Sequence, residues 1–342
     1  MTGQRTSCRH CAAPAQDDDR FCGSCGATLV EIERAAVPRD AGLLDGRGGP
    51  CPDCGNATYA DEYCTTCGAR RAAPDREEAH VGPVSLVTDR GLEHARNEDA
   101  ASAGILVGSD GSRPDAIAVA VCDGVSTSTD AHLAAVAAAN AGVEAMLSAL
   151  AAARTSRTAV LEGLAAAALA ATEAGADVWN APCCTYCAAV VVPAPEGAVE
   201  ITVGNVGDSR AYWLPESPGA GRQLTVDDSV AQELIDAGLA VDSAAVQRGA
   251  HTLTRWLGAD AEPKPWSESG VQTITVDGPG ALVACTDGMW NYLPGADDLA
   301  RVRAGTDSVA IARAFVDHAL SSGGHDNVTA AVISIGERHE FG

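Results

Sequence analysis

Lysine is almost absent. Lys264 is the only one in 342 residues, and every other basic residue is arginine. Basic residues are scarce altogether, with 23 Lys and Arg against 46 Asp and Glu and a formal net charge of -23. The stretch before His80 holds 9 basic and 13 acidic residues, so the remaining 14 basic and 33 acidic residues place most of the acidity in the larger part. No basic cluster is available there to neutralise phosphates, which argues against a nucleic-acid-binding surface. The acidic surplus is foremost a solubility device, and a preference for basic substrates is a weaker consequence. Long apolar runs are also missing. The most apolar segment, Leu133 to Ala153, is mostly alanine and is interrupted by Asn140 and Glu144. Leu133, Val136, Val143, Leu147 and Leu150 fall on one stripe at helical spacing, the pattern of a core helix rather than a membrane span. The N-terminus shows no signal-peptide pattern; it is polar and reaches Cys8 at once, so the expected location is the cytoplasm. Little lysine with abundant Ala and Gly fits a high-GC bacterial genome.

The apolar fraction of 46% is enough for a full core, so disorder is not expected for the bulk of the chain. The length allows one large domain and something smaller. Of 13 cysteines, eight lie before residue 70 as four C-x-x-C pairs: Cys8/Cys11, Cys22/Cys25, Cys51/Cys54 and Cys64/Cys67. A C-x-x-C turn places two thiolates on one side of a tight loop, and two such turns complete a tetrahedral zinc site. Disulfides are the bland alternative and a cytoplasmic location disfavours them; four regularly spaced pairs argue against a redox dithiol. The segments around Phe21-Cys-Gly-Ser-Cys-Gly and Tyr63-Cys-Thr-Thr-Cys-Gly repeat each other and resemble the double zinc ribbon family. Cys8, Cys11, Cys22 and Cys25 most simply hold one zinc, and Cys51, Cys54, Cys64 and Cys67 the other; a nested pairing across the intervening segment stays open. With sulfur at all positions the two zinc ions are structural and supply much of the ribbons' folding free energy. A protein partner, or the rest of this chain, is the expected contact. This gives ribbon 1 at residues 1–30, a linker at 31–49, ribbon 2 at 50–71, a linker at 72–82 and a large domain at 83–337.

In the large domain, Ala118 to Cys122 is a short apolar run that ends at Asp123-Gly124. The pattern returns at Ala281 to Cys285, ending in Thr286-Asp287-Gly288. Two strands buried on both faces, each stopping at a carboxylate, suggest side chains converging on one place. Val84 to Thr88 reads as a first strand, followed by a polar loop to Ala100. Ala-rich helices over Asp130–Ala153 and Ser156–Val178 read as a hairpin on one face of a sheet. Strands follow at Cys184–Val192 and Val199–Val206, then a turn at Gly207-Asp208-Ser209-Arg210 and a strand at Ala211–Leu214, read as an antiparallel hairpin. A helix from about Ser229 to Ala237 precedes an irregular region with Arg255, Trp256 and Gly258. A last helix, Ser308–Leu320, leads to Gly324-His325-Asp326-Asn327 and a final strand, Val328–Ile335. The fold class is α+β, with sheets packed on sheets and helices outside.

Asp99, Asp123, Asp208, Asp287 and Asp326 stand at strand ends and turns, without the spacing of an EF-hand calcium loop. Carboxylates gathered around a point repel one another, and oxygen-only ligands suit Mg or Mn. At this point the sequence resembles the metal-dependent serine/threonine phosphatases of the protein phosphatase 2C family. The matching residues are Asn97-Glu98-Asp99, Asp123-Gly124, Gly207-Asp208-Ser209-Arg210, Thr286-Asp287-Gly288 and Gly324-His325-Asp326-Asn327. Leu224-Thr225 with Asp227-Asp228-Ser229, and Thr254-Arg255-Trp256-Leu257-Gly258, resemble two further segments. The resemblance spans about Val84 to Ile335. It implies an α-β-β-α four-layer sandwich and hydrolysis of phosphoserine and phosphothreonine by a metal-activated water at a binuclear Mg or Mn site. Asp123 would bridge the metals, with the Gly124 carbonyl helping to hold the second. Asp287 and Asp326 would hold the first, Glu98 and Asp99 would order the shell of the second, and Asp208 matches a weaker third site. Asn327 would support its neighbour. Phosphoproteins are the implied substrates, with a Ser/Thr kinase or its targets among them.

The sequence departs from the family in places. His94 stands where an arginine commonly grips the substrate phosphate, with Arg96 close by; phosphate contact by cationic His94 or by Arg96 is one expectation, an exposed loop histidine the other. Val125 follows Asp123-Gly124 where some eukaryotic members have a histidine proposed as general acid. Cys183, Cys184 and Cys187 are expected to be buried packing residues. The rival readings are a pseudophosphatase, which binds phosphoprotein without turnover, and an adaptor whose work is done by the ribbons. The retained Asp123, Asp287 and Asp326 argue against the former.

Overall fold

The computed structural model of the chain describes residues 6–7, 11–15, 22–26, 29, 31–38, 54–56, 58–60, 63–68, 75–107, 114–175, 181–217 and 221–336. Its strands, apart from three two-residue ladders, are β1 (Glu31–Val37), β2 (Arg76–Val81), β3 (Val84–Asp89), β4 (Ala100–Val107), β5 (Pro114–Cys122), β6 (Tyr186–Pro193), β7 (Val199–Val206), β8 (Arg210–Pro215), β9 (Arg222–Gln223), β10 (Gln272–Val276), β11 (Gly280–Cys285) and β12 (Val328–Ile335). The helices are α1 (Ala131–Ala151), α2 (Ser156–Glu173), α3 (Val230–Asp236), α4 (Ala244–Gly249), α5 (Asp287–Trp290), α6 (Ala296–Val302) and α7 (Ser308–Ser321). Two six-stranded sheets result, ordered β10-β7-β6-β5-β4-β1 and β9-β8-β11-β12-β3-β2, and the paired strands run antiparallel.

The β5 run is continuously apolar because both of its faces are covered. Ile117, Val119 and Val121 point between the sheets and meet Ile201, Leu282 and Ile333. Ala118, Ala120 and Cys122 point outward to α1 and α2, beside Met146, Leu147 and Leu164. On the far side α7 packs Ile311, Phe315 and Val316 onto Val283, Ala330 and Val332. The order of layers is therefore helix, sheet, sheet, helix. Small residues let the helix layer sit close: a Cβ on Gly142 would lie 2.1 Å from the Tyr186 hydroxyl, and one on Gly104 2.5 Å from Leu147. By length and composition α1 could cross a membrane, but it packs here against α2 and the first sheet. Leu133, placed on its core stripe by spacing, is 45% exposed, while Ala134, Ala135 and Ala138 are buried. α2 ends at Glu173, and the expected continuation over 176–178 lies outside the described residues.

Three expectations are corrected. The segment 31–49, read as a linker, begins with β1, which pairs along its whole length with β4, from Glu31 opposite Val107 to Val37 opposite Ala101. Its density of charge hid it: an edge strand keeps one side to solvent, and charges there discourage further pairing. Arg34 reaches across to Glu144 on α1, while Val37 is buried. The segment 72–82, read as a second linker, contains β2, the other sheet's edge, paired with β3 from Arg76 opposite Asp89 to Val81 opposite Val84. The sandwich therefore begins well before residue 83. Finally, β7 and β8 do not form a hairpin. β7 pairs with β6 and β10, whereas β8 pairs with β9 and β11 in the other sheet. The turn at 207–209 carries the chain from one sheet to the other. Strands β4, β9 and β10 were not read from the sequence at all.

Candidate active site

The ladder registers bring one set of strand ends level. Ala100 faces Cys122, and Tyr186 faces Val206 in the first sheet; Arg210 and Ala330 both face Cys285 in the second. Asp99 therefore precedes β4, Asp123 follows β5, Asp208 follows β7, Asp287 follows β11 and Asp326 precedes β12, all at the same end of the sandwich. Burial raises the pKa of Asp123 well above the carboxylate range, with Asp99, Asp287, Asp208 and Asp326 adding to it. Asp99 is raised likewise, by burial and then by Asp326 and Asp287. Burial, Asp287 and Asp227 push Asp208 up to about 8. Asp326 is raised by burial and Asp287. Burial is the largest cause of each shift, and repulsion between the gathered carboxylates adds to it.

The hydrogen bonds around them orient oxygens rather than neutralise them. Asp99 is 1% exposed, and its Oδ2 accepts from Thr286 Oγ1 at 2.8 Å and Thr329 Oγ1 at 2.7 Å. Its Oδ1 is buried without a partner, and so is Asp287 Oδ1. A buried carboxylate oxygen left unpaired is costly, and a divalent cation bound between such oxygens removes the cost. The donor set, oxygens from aspartates of both sheets, fits Mg or Mn. Asp123 is fixed through its backbone: its N–H donates to Thr185 Oγ1 at 3.0 Å, its carbonyl accepts from Thr185 N–H at 2.8 Å, and Thr185 Oγ bonds Ser209 Oγ at 2.7 Å. Gly124 tolerates no side chain, since a Cβ there would lie 2.6 Å from the Glu98 carbonyl oxygen.

Asn327 ties the loop before β4 to the strand carrying Asp326. Its Oδ1 accepts from Glu98 N–H at 2.8 Å, and its Nδ2 donates to the carbonyls of Arg90 at 2.7 Å and Arg96 at 3.0 Å. Its support for Asp326 comes from its own N–H, 2.8 Å from Asp326 Oδ1. His94 Nε2 lies 3.1 Å from Asp326 Oδ1, so this histidine faces the site. Arg96 does not: its Nη1 bonds Asp130 Oδ1 at 3.1 Å and His132 Nδ1 at 3.0 Å, beside the start of α1. Arg210 forms an ion pair with Asp227 at 2.7 Å and lies over the Trp290 ring at 3.7 Å. Asp228 Oδ2 accepts from Gly207 N–H at 3.1 Å and so fixes the turn that carries Asp208.

One histidine at the site was not read from the sequence. His251 Nδ1 lies 3.2 Å from Asp287 Oδ2, and donor atoms of Asp208, His251 and Asp287 lie within 4.8 Å of one another. Its hydrogen bond with Asp287 raises the imidazole pKa. It sits in a loop after a short helix, with no local motif to mark it. Thr185 and Thr329 were likewise invisible as site-shaping residues, being ordinary strand-forming residue types.

In the N-terminal region, ligand atoms of Cys11, Cys22 and Cys25 lie within 4.8 Å of one another, and so do those of Cys54, Cys64 and Cys67. The sets are sequential, not nested. Backbone N–H groups of Ser24 and Cys25 lower Cys22 to about 6, and the Cys67 N–H and Asn56 side chain lower Cys64 to about 6, as suits thiolate ligands. Cys8 and Cys51 lie outside the described residues. Cys122, Cys183, Cys184, Cys187 and Cys285 are free and buried, as packing residues are.

Comparison with known proteins agrees with both parts. The family described as Double zinc ribbon matches residues 8–68. The serine/threonine phosphatase stp of Listeria innocua is 29% identical over 135 residues, 39% of this chain and 51% of that protein. Probable protein phosphatase 2C 11 of Arabidopsis thaliana is 30% identical over 143 residues, 39% of this chain and 38% of that protein. The chain thus spans about half the length, or less, of the curated relatives it matches. Among solved structures, the PPM Ser-Thr phosphatase MsPP of Mycobacterium smegmatis, in complex with cacodylate, is 26% identical with a TM-score of 0.55, covering 75% of this chain and 100% of that one. The S. agalactiae serine/threonine phosphatase is 24% identical with a TM-score of 0.57, covering 73% and 98%. The catalytic domain of the phosphatase PstP, in complex with two manganese ions, is 20% identical with a TM-score of 0.53, covering 74% and 98%.

Proposed function

We propose that this chain, a protein phosphatase 2C-type domain behind a double zinc ribbon, removes phosphate from phosphoserine and phosphothreonine in proteins. The observation that carries this reading is the convergence of Asp99, Asp123, Asp208, Asp287 and Asp326 at one end of the sandwich, where burial and neighbouring carboxylates raise the pKa of Asp99, Asp123, Asp208 and Asp326 and two buried oxygens are left without donors. Following the family pattern, Asp123 would help hold two Mg or Mn ions, the Gly124 carbonyl and the Glu98–Asp99 pair would serve one of them, and Asp287 and Asp326 would serve the other. Bound there, the cations supply a nucleophile from water at neutral pH and neutralise the phosphoryl oxygens. The protein's own part is orientation. Thr286 and Thr329 hold Asp99 by one oxygen so that the other is presented to the site. Asn327 clamps the loop that carries Glu98.

His94 adds positive charge beside Asp326 when protonated, and is the better placed of the two residues expected at the phosphate. Arg96 has to leave Asp130 to reach a substrate. The ribbons bind a protein partner, and a cytoplasmic Ser/Thr kinase or its targets supply the substrate. The decisive experiment is phosphate release from a phosphothreonine peptide with Mn. Wild type should turn over, and Asp287→Asn should lose at least 100-fold. A wild-type protein that binds the peptide with Mn and releases no phosphate is a binding module instead.

A further inference from the structure

His251 belongs to no motif of the sequence, yet three observations converge on its imidazole. Its Nδ1 is 3.2 Å from Asp287 Oδ2, in a group with Asp208 whose donor atoms all lie within 4.8 Å. Donors about 2.1 Å from an octahedral cation lie about 3.0 Å apart when adjacent and about 4.2 Å apart when opposite, so a group no wider than 4.8 Å needs only small side-chain shifts to enclose one ion. Asp287 also keeps a second oxygen, Oδ1, buried and without a hydrogen-bond partner. Lastly, the imidazole is held in place. It stacks on Trp290 with ring centroids 5.7 Å apart and planes 7° from parallel. The same indole donates its N–H to the Asp208 carbonyl at 2.8 Å, and Trp290 closes the short helix α5 that begins with Asp287. One tryptophan therefore positions all three members of the group.

We propose that His251 is a nitrogen ligand at the third metal site expected at Asp208, shared with Asp287, and that it makes this site select a first-row transition dication over magnesium. The inference rests on the phosphatase reading, because Asp287 belongs to the metal pair as well. The chemistry follows from ligand type. Magnesium holds oxygen ligands and water, and gains little from an imidazole, whereas transition dications accept one readily. An all-aspartate site would not separate the two; one with His251 in it does.

The test uses the full chain with zinc-loaded ribbons and Mn(II) as probe, read by calorimetry and by pulsed EPR for nitrogen-14 coupling to bound manganese. Wild type should bind Mn at the paired site and at this additional one. Nitrogen coupling should be present, and excess Mg should displace Mn from the pair more readily than from the additional site. His251→Ala should abolish the coupling and weaken one Mn by about tenfold or more, with the pair still filled. His251→Gln should behave like the alanine variant and guards against a folding artefact. His94→Ala should keep the coupling. Coupling that survives in both His251 variants, or unchanged Mn stoichiometry and affinity in them, overturns the inference and leaves the phosphatase reading intact. Wild type that binds no Mn at Asp123, shown by identical titrations of Asp123→Asn, overturns the phosphatase reading itself.

Discussion

Asn327 makes three hydrogen bonds to the loop that carries Glu98, although its side chain touches none of the clustered carboxylates. Asn327→Ala strands the Glu98 N–H and two carbonyls, and a buried group left unsatisfied costs about 1–3 kcal/mol. A lower melting temperature together with weaker Mn affinity is the expected result, measured by calorimetry. Asp123→Asn should cost phosphopeptide turnover more than His94→Ala does, because Asp123 is proposed to bridge both metals whereas His94 contacts one ligand, Asp326; steady-state rates of the two variants decide it. What was legible at this scale were residues that sit in short polar motifs at the ends of apolar runs: Asp123 and Asp287 after them, Asp326 before one. His251, Thr185 and Thr329 were not, since their roles come from register and loop path. Arg96, close to His94 in sequence, is turned toward α1, a direction that sequence proximity does not encode.

Gly288 sits where α5 passes the start of β12, and a Cβ on it would lie 2.0 Å from the Asn327 carbonyl oxygen. Backbone cannot yield by that much, so Gly288→Ala should give little folded protein, checked by soluble yield and circular dichroism. The paired helices and the apolar strands were readable because their faces are buried on both sides. Strand β1 was not, since Glu31, Glu33 and Arg34 read as a solvated linker, and only the ladder to β4 reveals an edge strand. Val37→Asp buries an unpaired charge there and should lower the melting temperature by several degrees, at about 2–4 °C per kcal/mol for a domain of this size. Backbone amides of 31–37 that face β4 should be protected from hydrogen exchange. The supposed hairpin at 207–209 failed for a different reason: a short polar turn between two strands specifies a reversal, but not whether the second strand rejoins the same sheet.

For the whole molecule, the clustered aspartates make stability depend on pH in a direction opposite to ordinary acid denaturation. Asp208 is raised to about 8, and Asp99, Asp123 and Asp326 are raised as well. The folded protein therefore holds protons that the unfolded chain gives up near pH 4. That stability is present below the unfolded values and is lost as pH rises through the folded ones. Without Mg or Mn the melting temperature should fall between pH 5 and 8.5; saturating Mn, which replaces those protons, should flatten or reverse the trend. Differential scanning calorimetry at constant ionic strength checks both. The path of the chain past the second ribbon has its own result. It leaves one sheet at Val37 and joins the other at Arg76, so the second ribbon is inserted in the chain between edge strands of two different sheets. A fragment begun after the second ribbon therefore lacks β1, an edge strand of the sandwich, and leaves β4 unpaired along that side.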